Sequence, residues 1–130
     1  MNRQLSLLDD EGYALTVLTL DQYQDYALVT AAYPEKVKLI YPTLGLAGEA
    51  GEFANKIKKV LRGDQGGTGE LTLTTDQRDA LIDELGDILW YIAATATDLD
   101  INLSDVAARN VAKLYDRQQR NVLKGDGDTR

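Results

Sequence analysis

The sequence predicts an all-α protein, a four-to-five-helix bundle. Three observations carry that expectation. Apolar residues recur at three- and four-residue spacing through most of the chain. Helix start and stop signals bracket each of those stretches. The segments that break the pattern are short and hold most of the glycine and threonine. A length of 130 residues suits one domain, and an apolar content of 44% supplies a core.

Residues 1–18 read as an N-terminal arm, with "YALTVLTL" fitting either a short strand or an extended segment. The helical domain spans 19–124. Thr19 with Gln22 three residues on has the pattern of a capping box, and Leu20, Tyr23, Ala27 and Ala31 follow at helical spacing up to Pro34, which ends the helix. A second helix is expected from Pro42 or Thr43 to about Leu61, with Gly63 as its cap and "KKVLR" placing positive charge on the last turn. "GDQGGTGELTLTT" reads as a loop, with "ELTLT" as a brief strand at most. A third helix starts after Thr74 or Thr75 and continues to Asp98. Ser104 is expected to cap a fourth, which runs to about Leu123, and residues 125–130 form a flexible tail.

Composition narrows the chemistry. A net charge of −7 argues against nucleic acid as a partner, and no apolar run approaches the roughly 20 residues of a membrane span. No signal peptide is read at the start, so the expected location is cytoplasmic. The chain has no cysteine and no histidine, which removes thiol nucleophiles, the commonest general base and the usual transition-metal ligand. Catalysis has to run on carboxylates, hydroxyls, Lys, Arg or a hard metal ion.

The second and third helices hold the informative pattern. At 100° per residue, Leu46, Ala50, Phe53, Ile57 and Val60 form one apolar stripe, with Glu49 and Glu52 on its flank. Gly45 and Gly48 share that flank and open it to close approach, while Gly51 lies elsewhere, suited to packing against another helix. On the third helix Leu81, Leu85, Ile88 and Ile92 form the stripe, and Glu84 and Asp87 lie on the flank of the same hand. An antiparallel hairpin turns flanks of the same hand toward each other, so the two pairs can converge. Two carboxylates about 4 Å apart repel by roughly 4 kcal/mol at an effective dielectric of 20. Such a cluster calls for a cation, for protonation, or for nearby Lys and Arg. Oxygen-only ligands favour Mg²⁺, with Mn²⁺ as a substitute. The plainer reading of each pair is a solvated helix flank.

"GLAGEAGEF", "LIDELGDILWYIA" and "NVAKLYDRQQR" together resemble the MazG-like all-α nucleotide pyrophosphohydrolases. That family's signature is E-E-x-x-E followed by E-x-x-D on the next helix. This chain offers Glu49 and Glu52, then Glu84 and Asp87, with Gly48 where the signature has its first glutamate and 31 residues between Glu52 and Glu84. The resemblance implies hydrolysis of a nucleoside triphosphate to the monophosphate and pyrophosphate, with Mg²⁺ held by those four carboxylates, which are the expected catalytic residues. It also implies a homodimer or homotetramer. Lys113 and Asn110 match the family's N-x-x-K and are expected to hold phosphates, joined by Arg117 from the same basic stripe. Lys56 lies on the Glu49–Glu52 flank, and Tyr91 lies near the second pair, placed to stack on a base. Trp90 falls off the stripe of its own helix and is expected against another helix or a second subunit. A phosphoribosyl-ATP pyrophosphohydrolase, a dUTPase-like enzyme and a non-catalytic helical module remain alternatives.

Overall fold

The computed structural model describes residues 17–63 and 71–120. Most of the expected arm, the 64–70 part of the long loop and the expected tail lie outside them. Among the described residues there are four α-helices, two short 3-10 turns and no strand. The chain is all-α, as its pattern predicts.

Helix α1 spans Leu20–Ala27 and opens with the expected capping box. Gln22 N–H donates to the Thr19 hydroxyl at 3.2 Å, and Thr19 N–H donates to the Gln22 side-chain oxygen at 2.9 Å. The helix stops well before Pro34. Its last carbonyl, on Ala27, accepts from the Thr30 hydroxyl at 2.6 Å and from the Trp90 indole at 3.0 Å. That acceptor is thereby occupied by side chains, and the backbone tightens into a 3-10 turn at Leu28–Thr30. A second such turn covers Glu35–Val37.

Helix α2 spans Ile40–Arg62, starting two residues earlier than expected. Pro42 is accommodated in its first turn, where a missing N–H leaves no bond unmade, and it is fully buried. Gly63 closes the helix through a bond from its N–H to Lys59 O at 2.9 Å, at an ordinary φ of −77°. Helix α3, Thr75–Asp98, begins with a second capping box between Thr74 and Gln77. Residues 71–74 precede it without forming a strand. Helix α4, Leu103–Gln119, is capped differently from the expectation. Ser104 lies inside the first turn, and the Asp21 carboxylate of α1 accepts from its N–H at 2.9 Å and its hydroxyl at 2.7 Å. The cap comes from a distant residue, which no local pattern reveals. The described helix runs to Gln119, and the expected extension to Leu123 lies outside the described residues.

Helices α2 and α3 form an antiparallel hairpin. As numbering rises along α2 it falls along α3: Leu39 meets Asp98, Gly45 meets Tyr91, and Lys56 meets Glu84. Helices α1 and α4 pack on the C-terminal half of α3 around Ala93, Ala96 and Leu103, with Tyr23, Leu28, Leu89, Ile92, Ile101 and Val106 against them. Gln24 locks this junction. Its amide donates to Thr97 Oγ1 at 2.9 Å and Ile101 O at 3.1 Å, and its oxygen accepts from Leu103 N–H at 2.7 Å. Trp90 packs on α1, with its indole also donating to Thr30 Oγ1 at 2.9 Å.

The expected stripes are only partly covered. Leu46, Phe53, Ile57, Val60, Ile88 and Ile92 are half-buried and Leu81 is buried, whereas Ala50 and Leu85 are exposed. Three of the five buried apolar residues of the described core are alanines.

Candidate functional site

The hairpin brings three carboxylates together. Oxygens of Glu49 from α2 and of Glu84 and Asp87 from α3 lie within 4.8 Å of one another. The i, i+3 spacing sets Glu84 and Asp87 on one side of α3. The antiparallel register then delivers Glu49 opposite them. Glu52 is exposed and stands outside this triad, close enough to add to the negative potential on Glu49.

Partial burial, followed by the charges of Asp87 and Glu84, a hydrogen bond with Glu84 and the charge of Glu52, lifts the Glu49 carboxyl above the usual glutamate range. Against these acids stands the Lys56 ammonium, 3.2 Å from Glu84. The Glu84 side chain is only 14% exposed, so the pair is better shielded than an ordinary surface ion pair. Among the described residues, Lys56 is the cation paired with these three or four carboxylates, which leaves their described surroundings short of positive charge. A set of oxygen ligands with that deficit fits a hard divalent cation.

Tyr91 also belongs here. A side chain at Gly45 would lie within 3.0 Å of the Tyr91 ring. Glycine at that position lets the ring rest on the α2 backbone, one turn before Glu49. Burial, a hydrogen bond with Tyr41, and the charges of Glu49 and Asp87 together raise the Tyr91 hydroxyl above its ordinary value. Gly48 and Gly51 have nothing among the described residues within 4 Å of where a Cβ would sit. The expected helix packing at Gly51 is not found there.

Of the residues expected from α4, Asn110 lies away from the triad. Asn110 lines an apolar groove of about 360 Å³ with Leu20, Leu89, Leu103, Val106 and Val111. Leu89 lies roughly 140° around α3 from Glu84 and roughly 160° from Asp87 at 100° per residue, so this groove opens on another face. Lys113 and Arg117 follow along the same helix, the first exposed and the second buried.

Three residues around Tyr91 and the start of α2 fall outside the expected set. Tyr33 stacks on Tyr41, with ring centroids 4.9 Å apart and planes 19° from parallel, and Tyr41 meets Tyr91 at 6.3 Å. Asp98 accepts from the Tyr33 hydroxyl at 3.0 Å and from Leu39 N–H at 2.8 Å. A signal for Tyr41 exists in the sequence: it precedes Gly45 and Glu49 by four and eight residues, on the same flank. Tyr33 and Asp98 carry no such signal, because their pairing depends on the hairpin register.

An acidic triad spanning an α-helical hairpin is the kind of site that metal-assisted phosphate chemistry uses, and comparison with known proteins shows the family. Residues 42–122 match the MazG nucleotide pyrophosphohydrolase domain, and the chain belongs to that family. It is also 46% identical over 117 residues to the Gene 37 protein of Mycobacterium phage L5, covering 85% of this chain and 98% of that one. No solved structure gives a significant match. No described helix is long and apolar enough to cross a membrane.

Proposed function

We propose that this protein is a Mg²⁺-dependent pyrophosphohydrolase that cleaves a nucleoside triphosphate, ribo- or deoxyribo-, to the monophosphate and pyrophosphate. The observation that carries the proposal is the convergence of Glu49, Glu84 and Asp87 within 4.8 Å, in a chain of this family. These three, with Glu52 beside them, would hold Mg²⁺, with Mn²⁺ substituting. When bound, the ion neutralises phosphate oxygens and lowers the pKa of a coordinated water. Lys56, next to Glu84, would donate to a phosphate oxygen. A carboxylate of the cluster accepts the proton of the attacking water. The new bond forms at the α-phosphorus, the bond to the α–β bridging oxygen breaks, and pyrophosphate carries the electron pair away. The biological role is the removal of unwanted nucleotides from the pool, which implies a cytoplasmic site of action.

The same reading includes a homodimer or homotetramer. Ile40, Leu44 and Leu61 on α2, Ile82 and Leu85 on α3, and Val111 and Leu114 on α4 are all exposed. Exposed apolar side chains on three helices, beside a core rich in alanine, support a second copy covering them. Assembly would also give Asn110 and Lys113, both exposed, a route to a neighbour's phosphates. Light scattering that returns a monomer mass at micromolar concentration would remove this part of the proposal.

The deciding experiment is pyrophosphate release from a panel of ribo- and deoxyribonucleoside triphosphates, with Mg²⁺ and with chelator. Equal amounts of monophosphate and pyrophosphate, formed only with the metal, are expected. Glu52→Gln and Glu84→Gln should each reduce turnover by orders of magnitude while the helical circular dichroism is kept. Near-native turnover in Glu84→Gln would reject the site, and near-native turnover in Glu52→Gln would remove Glu52 from it.

A further inference from the structure

We propose that Tyr41, braced between Tyr33 and Tyr91, is the surface on which the nucleobase of the substrate stacks. This inference rests on the nucleotide-hydrolysis reading and goes further by assigning the part of the site that grips the base.

Three elements contribute one ring each. Tyr33 comes from the connection after α1, Tyr41 from the first turn of α2, and Tyr91 from α3. Tyr33 lies flat on Tyr41, Tyr91 is tilted 47° to Tyr41, and Trp90 meets Tyr91 edge-on at 5.0 Å. The group is built rather than fortuitous, since each outer ring has its own anchor. Gly45 lets Tyr91 lie on the α2 backbone, and the Tyr33 hydroxyl is tied to Asp98. The same carboxylate holds Leu39 N–H. Leu39 sits at a φ of 62°, a left-handed conformation that a bulky L-residue rarely adopts. Such strain persists only where the surroundings fix it, and it clusters at ligand sites. Here it sets the entry angle of α2 two residues before Tyr41.

Position and exposure fit a base platform. Tyr41 precedes Glu49 by two turns, roughly 12 Å of helix axis, and shares its flank. Tyr91 lies between them, close enough to feel Glu49 and Asp87. A nucleotide with its phosphates at the carboxylates would therefore project its sugar and base along α2 toward Tyr41. Although Tyr33 covers it on one side, Tyr41 remains 46% exposed. A large aromatic ring that is both held in place and open to solvent offers a π-face to a planar ligand. Stacking of a base on an aromatic ring tolerates every base. This platform therefore favours nucleotides over bare polyphosphates and discriminates weakly between bases.

The test compares two ligands in Mg²⁺ by calorimetry: an α,β-methylene deoxynucleoside triphosphate, which carries a base, and inorganic tripolyphosphate, which does not. The wild-type protein should bind the nucleotide more tightly. Tyr41→Leu should weaken nucleotide binding roughly five- to 150-fold and leave tripolyphosphate binding unchanged, and Tyr41→Phe should restore it. Ring resonances of Tyr41 in the wild-type protein should shift with the nucleotide and not with tripolyphosphate, a readout that needs no variant to fold. Equal affinity of the wild type for the two ligands, an unaltered Kd in a folded Tyr41→Leu, or unmoved Tyr41 resonances would overturn the platform while leaving the hydrolase reading intact. Binding of neither ligand by the wild type would overturn both.

Discussion

Gly45→Ala is the perturbation whose sign depends most directly on the tertiary structure. In an isolated helix the change stabilises by about 1 kcal/mol, the difference in propensity between glycine and alanine. In this protein the new methyl would run into the Tyr91 ring. Neither partner can yield easily, because the methyl is fixed to a helix backbone and the ring is hemmed in by Tyr41 and Trp90. Inserting a methyl into a packed contact costs about 1–3 kcal/mol. The net effect ranges from neutral to roughly 2 kcal/mol of destabilisation. In a Tyr91→Ala background the obstruction is gone, and the same substitution should stabilise by about 1 kcal/mol. The coupling between the two sites is therefore about 1–3 kcal/mol. Urea unfolding followed by circular dichroism of the four proteins measures it through midpoint and slope. Equal stabilisation by Gly45→Ala in both backgrounds would refute the packing of Tyr91 on α2, and with it the bracing of Tyr41.

Other expectations concern the junction, the clamp and the triad. Gln24→Leu keeps the volume but leaves the buried Leu103 N–H without its acceptor, so it should cost about 1–3 kcal/mol, and unchanged thermal stability would contradict that role. The Tyr33 hydroxyl is pushed from 10.0 up to about 12, first by burial and then by its bond to Asp98. A raised folded-state value means that the stabilisation is complete below pH 10 and is lost as pH climbs to about 12. Tyr33→Phe should flatten the stability profile in that window, and parallel profiles would argue against the clamp. The Glu49 carboxyl is likewise raised, by burial first and then by Asp87 and Glu84. The metal-free protein should therefore gain stability as pH falls through that raised range and lose it as pH rises. Glu49→Gln should remove this slope and raise the melting temperature in chelator at neutral pH, while shrinking the stabilisation given by Mg²⁺. A lower melting temperature in chelator, or an undiminished Mg²⁺ effect, would remove Glu49 from the cluster.

Much of the fold was legible because it is local. The Thr19–Gln22 capping box and the start of the third helix after Thr74 lie within four residues of sequence, and the structure shows both. The pairing of Glu84 with Asp87 on one side of a helix follows from the helical repeat alone. So does the placing of Gly45, Glu49 and Glu52 on one flank. The early end of α1 was not legible, since the side chain that takes part of the Ala27 carbonyl is Trp90, 63 residues away. The cap of α4 was equally hidden, because Asp21 reaches Ser104 across 83 residues.

The sequence by itself therefore determined the helices, the carboxylate pairs and the family signature, all of which rest on spacing within a few turns. Tertiary structure decided which acids meet. The register and rotation of the α2–α3 hairpin bring Glu49 to Glu84 and Asp87, leave Glu52 at the edge and seat Tyr91 on Gly45, while the packing of α1 and α4 on α3 turns Asn110 toward a different face. Those choices come from side-chain packing between distant segments, where a rotation of a few tens of degrees exchanges one neighbour for another. A helical repeat fixes the order of residues around each axis but not the angle at which two axes face each other.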